Sequence, residues 1–157
     1  MRALGIDLGS KRIGVAISDS DGRLAMPYEV VQRSGDRQRD HRALLALAAE
    51  GEVEAIVVGL PLSLDGSVGR AAKGVLAEVA ELGATTDLPI ETYDERLSTV
   101  TADRNLIEMN LKADARRKVV DKVAAAVILQ AWLDNRAAQA PHSTDPDEHP
   151  APRPSRP

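Results

Sequence analysis

The sequence has no cysteine and no phenylalanine, and it contains only one tryptophan and two tyrosines. Without cysteine the chain has no disulfide bond, no thiolate zinc site and no cysteine nucleophile. So few aromatic side chains argue against a protein that binds nucleic acid by stacking bases on aromatic rings. The hydrophobic residues, 43% of the chain, are mainly Ala, Val, Leu and Ile, which suits helices packed on a sheet.

Long apolar runs are absent as well. No stretch of about 18 apolar residues occurs, and the first residues, MRALGIDLGSKR, lack the apolar core of a signal peptide. We therefore expect a soluble, cytoplasmic protein with no membrane contact. The net charge is −4, whereas a non-specific nucleic-acid coat protein is usually basic. Any contact with nucleic acid must then come from local basic patches and bound cations.

Hydrophobic patterning and turn residues predict five strands and four helices. The predicted strands are residues 2–8, 12–18, 24–32, 54–60 and 89–93. The predicted helices are residues 37–50, a segment ending at 82, a short segment ending at 109, and 114–137. Asp36 is a candidate N-cap, and Pro27 indicates an edge strand. We expect one domain over residues 1–138 and a disordered tail, rich in proline and charge, over 139–157.

This order predicts an α/β fold with a five-stranded mixed sheet, in which three antiparallel strands are followed by parallel β–α units. Right-handed crossovers place the first, fourth and fifth strands parallel. Ligands of such sheets bind beyond the carboxyl ends of the parallel strands. Asp7, Gly59 to Pro61 and Asp94 to Arg96 all fall at that edge.

Two acids at this edge allow two interpretations each. Asp7 lies in the first strand, where an aspartate is a poor strand former and costly to bury without a partner. It either caps the turn at Gly9 and Ser10 or binds a metal ion. Glu95 is either an exposed neighbour of a helix cap or a functional acid on the ligand edge.

A third acid, Asp121, lies at the edge of an apolar stripe on the last helix. The predicted stripe consists of Val120, Val123, Ala124, Val127, Ile128 and Ala131. The partner of Asp121 is either Lys118 or Lys122, or a metal ion shared with Asp7. Three carboxylates at one edge repel each other unless a cation lies between them, and oxygen ligands favour Mg²⁺ or Mn²⁺.

Basic residues lie near each of these acids in the sequence. Taken one at a time, most of these basic residues are explained as solvated surface charge. The presence of basic residues near each of the three acids instead favours phosphate binding. The start of the second helix adds backbone N–H groups that favour anions. The candidate substrate contacts are Lys11, Arg12, Ser63, Arg70, Arg96, Lys118 and Lys122.

The chain resembles the bacterial YqgF/RuvX family in four segments that occur in the family's order: GIDLGSKRIGVAISD, IVVGLPLSLDGS, YDERLST and VVDKVAAAVILQAWL. The resemblance implies an RNase H-like fold and a metal-dependent endonuclease that processes the 5′ end of pre-16S rRNA. The alternative is a Holliday junction resolvase. The resemblance further implies catalytic, metal-binding acids at Asp7, Glu95 and Asp121. It also implies substrate contacts at Lys11, Arg96, Ser98 and Thr99.

Several alternatives stay open. Many nucleases of this fold carry a fourth carboxylate where this chain has Ala124, so either one or two metal ions are possible. The first segment also resembles the phosphate loop of actin-like ATPases, which need two such domains and therefore a longer chain. A catalytically silent RNA-binding module fits poorly, because the three acids repel phosphate without metal. No large apolar face is left over, so we expect a monomer or weak homodimer.

Removal of residues 140–157 is expected to leave both the melting temperature and nucleic-acid cleavage unchanged, because a segment so poor in apolar residues adds nothing to a core. Thermal unfolding and a cleavage assay on the full and shortened chains test this. A clear drop in melting temperature would show that the tail docks on the domain.

Overall fold

In the part of the chain that the computed structural model describes, five strands form one mixed sheet in the order β3-β2-β1-β4-β5. That part comprises residues 1–100, 102–104 and 113–139. The strands are β1 (Ala3–Leu8), β2 (Arg12–Ser18), β3 (Ala25–Gln32), β4 (Ala55–Leu60) and β5 (Ile90–Asp94). β2 is antiparallel to β1 and β3, whereas β4 is parallel to β1 and β5. The mixed sheet and the edge position of β3 are therefore confirmed.

The described helices are α1 (Arg37–Glu50), α2 (Arg70–Gly83) and α3 (Ala113–Gln139), with a single 3₁₀ turn at Glu95–Leu97. Asp36 caps α1 as predicted, because its carboxylate accepts hydrogen bonds from the backbone N–H groups of Gln38 and Arg39. Residue 100 and residues 102–104 are helical. The predicted end of this short helix at 109, and the predicted tail beyond Gln139, lie outside the described residues.

Helices cover both faces of the sheet, and each face has its own core. On one face, Leu4, Ile6 and Val58 pack with Leu44 of α1 and Leu82 of α2. On the other face, α3 packs through Ala125, Ile128, Leu129 and Trp132 on Ala3, Ala16, Val57 and Tyr93. Because side chains alternate along a strand, Asp7 shares the α3 face with Ala3.

The buried face of α3 is rotated from the predicted stripe. Its buried residues are Val120, Ala124, Ala125, Ile128, Leu129, Trp132 and Leu133. Val120, Ala124 and Ile128 are therefore buried as predicted. Val127 and Ala131 are partly buried and pack at the margin of this core, and Val123 is also only partly buried. Leu129, Trp132 and Leu133 offer a larger apolar area than those three residues, and burying it stabilises this orientation more. The rotation places Asp121, which lies four residues before Ala125, on the side that faces the sheet.

The close contact between α3 and the sheet depends on Gly14 in β2. A Cβ atom at this position would collide with the backbone carbonyl of Asp121. Gly14 is also the antiparallel partner of Asp7 in the sheet. The missing side chain therefore allows the backbone of α3 to reach the strand next to Asp7.

A buried polar cluster ties α1 and α2 to the turn after β1. Arg33 donates to both carboxylate oxygens of Glu78 at 2.7 and 2.9 Å, and His41 Nε2 lies 2.8 Å from the same carboxylate. Arg33 Nε also donates to the carbonyl of Gly9 at 2.9 Å, and the Arg33 backbone N–H donates to the carbonyl of Lys11 at 3.0 Å. The turn that follows Asp7 is thus held by the protein interior.

Charge balance in this cluster favours the ionised form of Glu78. Burial raises the pKa of Glu78, but the hydrogen bonds from Arg33 and His41 outweigh it and hold the pKa below the ordinary value. A buried carboxylate of this kind stabilises the fold above its ordinary pKa, and the stabilisation is lost as the pH falls.

Substitution of Gly14 by Ala is expected to lower the free energy of unfolding by about 1–3 kcal/mol, the usual effect of overpacking, because the new methyl group displaces the backbone of α3. Gly74→Ala is the matched control. Gly74 lies in α2, and a Cβ there meets no atom within 4 Å. This change should stabilise the helix by up to about 1 kcal/mol. Urea unfolding of both variants measures the difference, and equal effects would contradict the close contact.

Candidate active site at the carboxyl edge of the sheet

Two further acids, Asp121 and Glu95, approach Asp7 because glycines flank it in the sheet. Gly14 on β2 lies opposite Asp7, and the backbone of Asp121 packs on that glycine. On the other side of β1, Ile6 pairs with Val58 of β4, and Gly59 is the next residue of β4. A Cβ at Gly59 would lie 2.9 Å from Oε1 of Glu95. Asp121 and Glu95 therefore approach Asp7 from opposite sides.

Mutual repulsion and burial both act on these carboxyl groups. The pKa of Asp7 is raised, first by burial and then by the charge of Asp121, while Arg104 partly lowers it. The pKa of Glu95 is also raised, first by burial and then by the charge of Asp7. Asp121 and Asp7 are thus close enough for the charge of one to act on the other, and the same holds for Asp7 and Glu95.

Arginines from distant parts of the chain pair with two of the acids. Arg104 Nη2 donates to Asp7 Oδ2 at 3.0 Å, and Arg12 Nε donates to Asp121 Oδ2 at 2.7 Å. The structure thus pairs Asp121 with Arg12. Of the two lysines considered as its partners, Lys122 forms no ion pair with it among the described residues, and the side chain of Lys118 lies outside them. Glu95 has no ion pair among the described residues, since its sequence neighbour Arg96 binds Asp94 at 2.7 Å.

Arg96 holds a loop against the end of β5. Besides Asp94, its guanidinium donates to the carbonyl of Leu64 at 3.2 Å and lies against Gly66. The loop of residues 61–69 is therefore tied to the same edge as the acids. Ser63 in this loop and Arg70 at the start of α2 are both exposed there.

The other candidate substrate contacts differ in what they bind. Ser98 donates to the carbonyl of Glu95 at 2.8 Å, and Thr99 donates to Asp103 at 2.7 Å, so both hydroxyls organise the chain after Glu95. Lys11 is exposed in the turn after β1, and Lys122 is partly buried beside Asp121. The side chain of Lys118 lies outside the described residues.

The donor set suits a hard divalent cation, because it consists of carboxylate oxygens alone. Among the described residues, however, no three His, Asp or Glu side chains lie close enough together to hold one metal ion as they stand. Asp7 and Asp121 instead each turn one oxygen toward a guanidinium.

Sequence reasoning missed Arg104 and the cluster of Arg33, Glu78 and His41. Arg104 is 97 residues away from Asp7, and Arg33 is 45 residues away from Glu78. Local spacing carries no signal for such pairs. A buried glutamate in the apolar face of α2 is a visible anomaly, and it could have drawn attention to Glu78.

The five-stranded mixed sheet with helices on both faces is an RNase H-like fold. Two solved structures of RuvC share the fold. Thermus thermophilus RuvC superposes with a TM-score of 0.53 and 16% identity over 88% of this chain and 97% of that chain. T. thermophilus RuvC in complex with Holliday junction substrate gives a TM-score of 0.52 and 22% identity with the same coverage of both chains.

The chain belongs to the RuvX family, whose description is Holliday junction resolvase and whose sequence profile matches residues 1–135. Its relatives include proteins named "Putative pre-16S rRNA nuclease". The Desulforamulus reducens protein is 45% identical over 137 residues, which are 87% of this chain and 99% of the relative. The Mycobacterium tuberculosis protein is 48% identical over 140 residues, 87% of this chain and 81% of the relative. The chain is therefore a nuclease.

None of the helices in the described part of the chain combines the length and the apolar character needed to cross a membrane.

Substitution of Glu95 by Gln is expected to raise the melting temperature of the metal-free protein at neutral pH by about 2 °C, or roughly 0.5–1 kcal/mol for a chain of this size. The raised pKa means that the folded state binds a proton more readily than the unfolded chain, so the ionised carboxylate destabilises the fold. The increase in melting temperature should be largest at pH values above the raised pKa of Glu95. It should shrink as the pH falls toward 4.5, the ordinary pKa of a glutamate.

Thermal unfolding of both proteins across this pH range, in the presence of a chelator, measures the difference. A lower melting temperature for Glu95→Gln at neutral pH would contradict the predicted repulsion.

Proposed function

We propose that this nuclease is a divalent-metal-dependent endonuclease that processes the 5′ end of pre-16S rRNA during ribosome biogenesis in the cytoplasm. The observation that carries the proposal is that Asp121 and Glu95 both approach Asp7 at the carboxyl edge of the sheet. The names of the relatives, at 44–48% identity, supply the substrate class. Metal dependence is supported by the oxygen-only donor set and by the fold shared with RuvC.

In this proposal Asp7, Glu95 and Asp121 are the catalytic acids and hold Mg²⁺ or Mn²⁺. When bound, the metal supplies an activated water and stabilises the charge on the phosphate. In this proposal no side chain is assigned as the nucleophile. The acids position the metal, and the partly buried site limits access of bulk water.

The basic residues around the edge are proposed to bind the nucleic-acid backbone. Lys11 and Arg70 are exposed there, and Lys122 lies beside Asp121. Gly69 caps α2 without a side-chain hydrogen bond, which leaves the backbone N–H groups near Arg70 and Ser63 to a phosphate. Besides its proposed contact with the substrate, Arg96 holds the loop that carries Ser63 through the carbonyl of Leu64.

Cleavage of Holliday junctions is a second candidate, favoured by the description of the RuvX family. A resolvase cuts two strands placed symmetrically, and the simplest such enzyme is a two-fold dimer. The large exposed apolar residues of the described part are spread over several segments: Met1, Leu24, Met26, Leu64, Val68, Leu76 and Leu97. This spread argues against a single large dimer face, and so favours a monomer or weak homodimer and hence the rRNA substrate.

Asp7→Asn, Glu95→Gln and Asp121→Asn are each expected to reduce cleavage by at least about 100-fold, because each removes a charged metal ligand. The assay compares precursor rRNA and a four-way DNA junction side by side in Mg²⁺ and in Mn²⁺. Glu81→Gln is the matched control. Glu81 is an exposed acid on α2 that pairs only with Arg37 among the described residues, and its loss should leave cleavage unchanged.

Circular dichroism must show that each variant is folded. Near-normal activity in any folded acid variant would remove that residue from the site. Paired, symmetric cuts in the junction by a stable dimer, with precursor rRNA left intact, would favour the resolvase over the rRNA nuclease.

A further inference from the structure

Two of the three proposed metal ligands are already held by a cation of the protein. Arg104 donates to Asp7, whose side chain is 13% exposed, and Arg12 donates to Asp121, whose side chain is 19% exposed. Each arginine binds one oxygen of a carboxylate that the proposed metal would need. Both pairs join distant segments, 97 and 109 residues apart.

Repulsion among the acids gives a physical reason for an arginine beside Asp7 and another beside Asp121. Asp7 feels the negative charges of both Glu95 and Asp121, so an acid cluster without a cation destabilises the fold. A guanidinium stays charged at all accessible pH values, and its hydrogen bonds to carboxylates are strong. While these contacts are made, Arg12 and Arg104 therefore neutralise part of the cluster at every accessible pH.

The same contacts oppose a divalent cation. A metal on Asp7 and Asp121 would lie next to two positive guanidinium groups, and like charges repel at such distances. It would also need carboxylate oxygens that now accept hydrogen bonds from Arg12 and Arg104. Metal and arginine thus compete for the same lone pairs.

We propose that Arg12 and Arg104 are positioning residues that act as built-in counter-cations of the acid cluster and must release Asp7 and Asp121 before a divalent metal binds. This inference rests on the proposed function, because it takes these acids as metal ligands. It assigns Arg104 a role at the site that its place in the sequence does not suggest. It also makes metal affinity a property that these arginines weaken.

The test is the affinity of metal-stripped protein for Mn²⁺ alone, measured by titration calorimetry, together with thermal unfolding in chelator. Arg104→Gln and Arg12→Gln should each bind Mn²⁺ about 10-fold more tightly, the effect expected when one charge-assisted hydrogen bond no longer has to break. Each variant should also melt at a lower temperature than the wild type when metal is absent. A purely structural role would lower the melting temperature without tightening Mn²⁺ binding.

Two further variants serve as controls. Arg104→Lys keeps a positive charge near Asp7 and should retain nearly the wild-type affinity for Mn²⁺. Arg37→Gln removes the exposed pair with Glu81, in which both side chains are 50% exposed, and should change neither measurement.

The outcomes separate the inference from the proposed function. Unchanged or weaker Mn²⁺ binding by both glutamine variants, in a wild type that binds Mn²⁺, would overturn the inference and leave the nuclease site standing. A wild type that binds no Mn²⁺ at millimolar concentration, with no binding by either glutamine variant, would overturn the proposed metal site as well.

Discussion

The site depends on one close contact, in which the backbone of α3 rests on Gly14 of β2. Any side chain at this position would push the helix away from the sheet, and Asp121 would move with it. Apolar packing of Ile128, Leu129 and Trp132 further along the helix supplies the force that holds the contact. The core of this face and the placement of an acid beside Asp7 therefore arise from the same interaction.

Bringing acids together in this way has an energetic cost that other parts of the structure offset. Burial and repulsion raise the pKa of both Asp7 and Glu95, which means that their ionised forms destabilise the fold. Arg104 opposes this effect at Asp7. Behind the site, the ion pair of Arg33 with Glu78 holds the turn after β1 through the carbonyl of Gly9. The edge that carries the mutually repelling acids is thus supported by a buried cluster of paired charges.

Much of the fold could be predicted from the sequence because its signals are local. A cap at Asp36, an edge strand at Pro27 and the parallel placement of β1, β4 and β5 each follow from short patterns. The orientation of α3 could not be predicted so well, because the apolar period alone does not say how much area Leu129 and Trp132 bury. The position of the three acids at one edge follows from topology. Their partners do not, since Arg12 and Arg104 reach them across about a hundred residues of chain.

The central claim is that Asp7, Glu95 and Asp121 form a divalent metal site. Crystals of the protein grown with Mn²⁺, with anomalous diffraction measured at the manganese edge, test it most directly. The account predicts an anomalous peak about 2.1 Å from a carboxylate oxygen of Asp7 and within ligand distance of Glu95 or Asp121. It also predicts that at least one of Arg12 and Arg104 has moved away from its carboxylate. An absence of any peak near Asp7 at saturating Mn²⁺, with both arginine pairs intact, would contradict it.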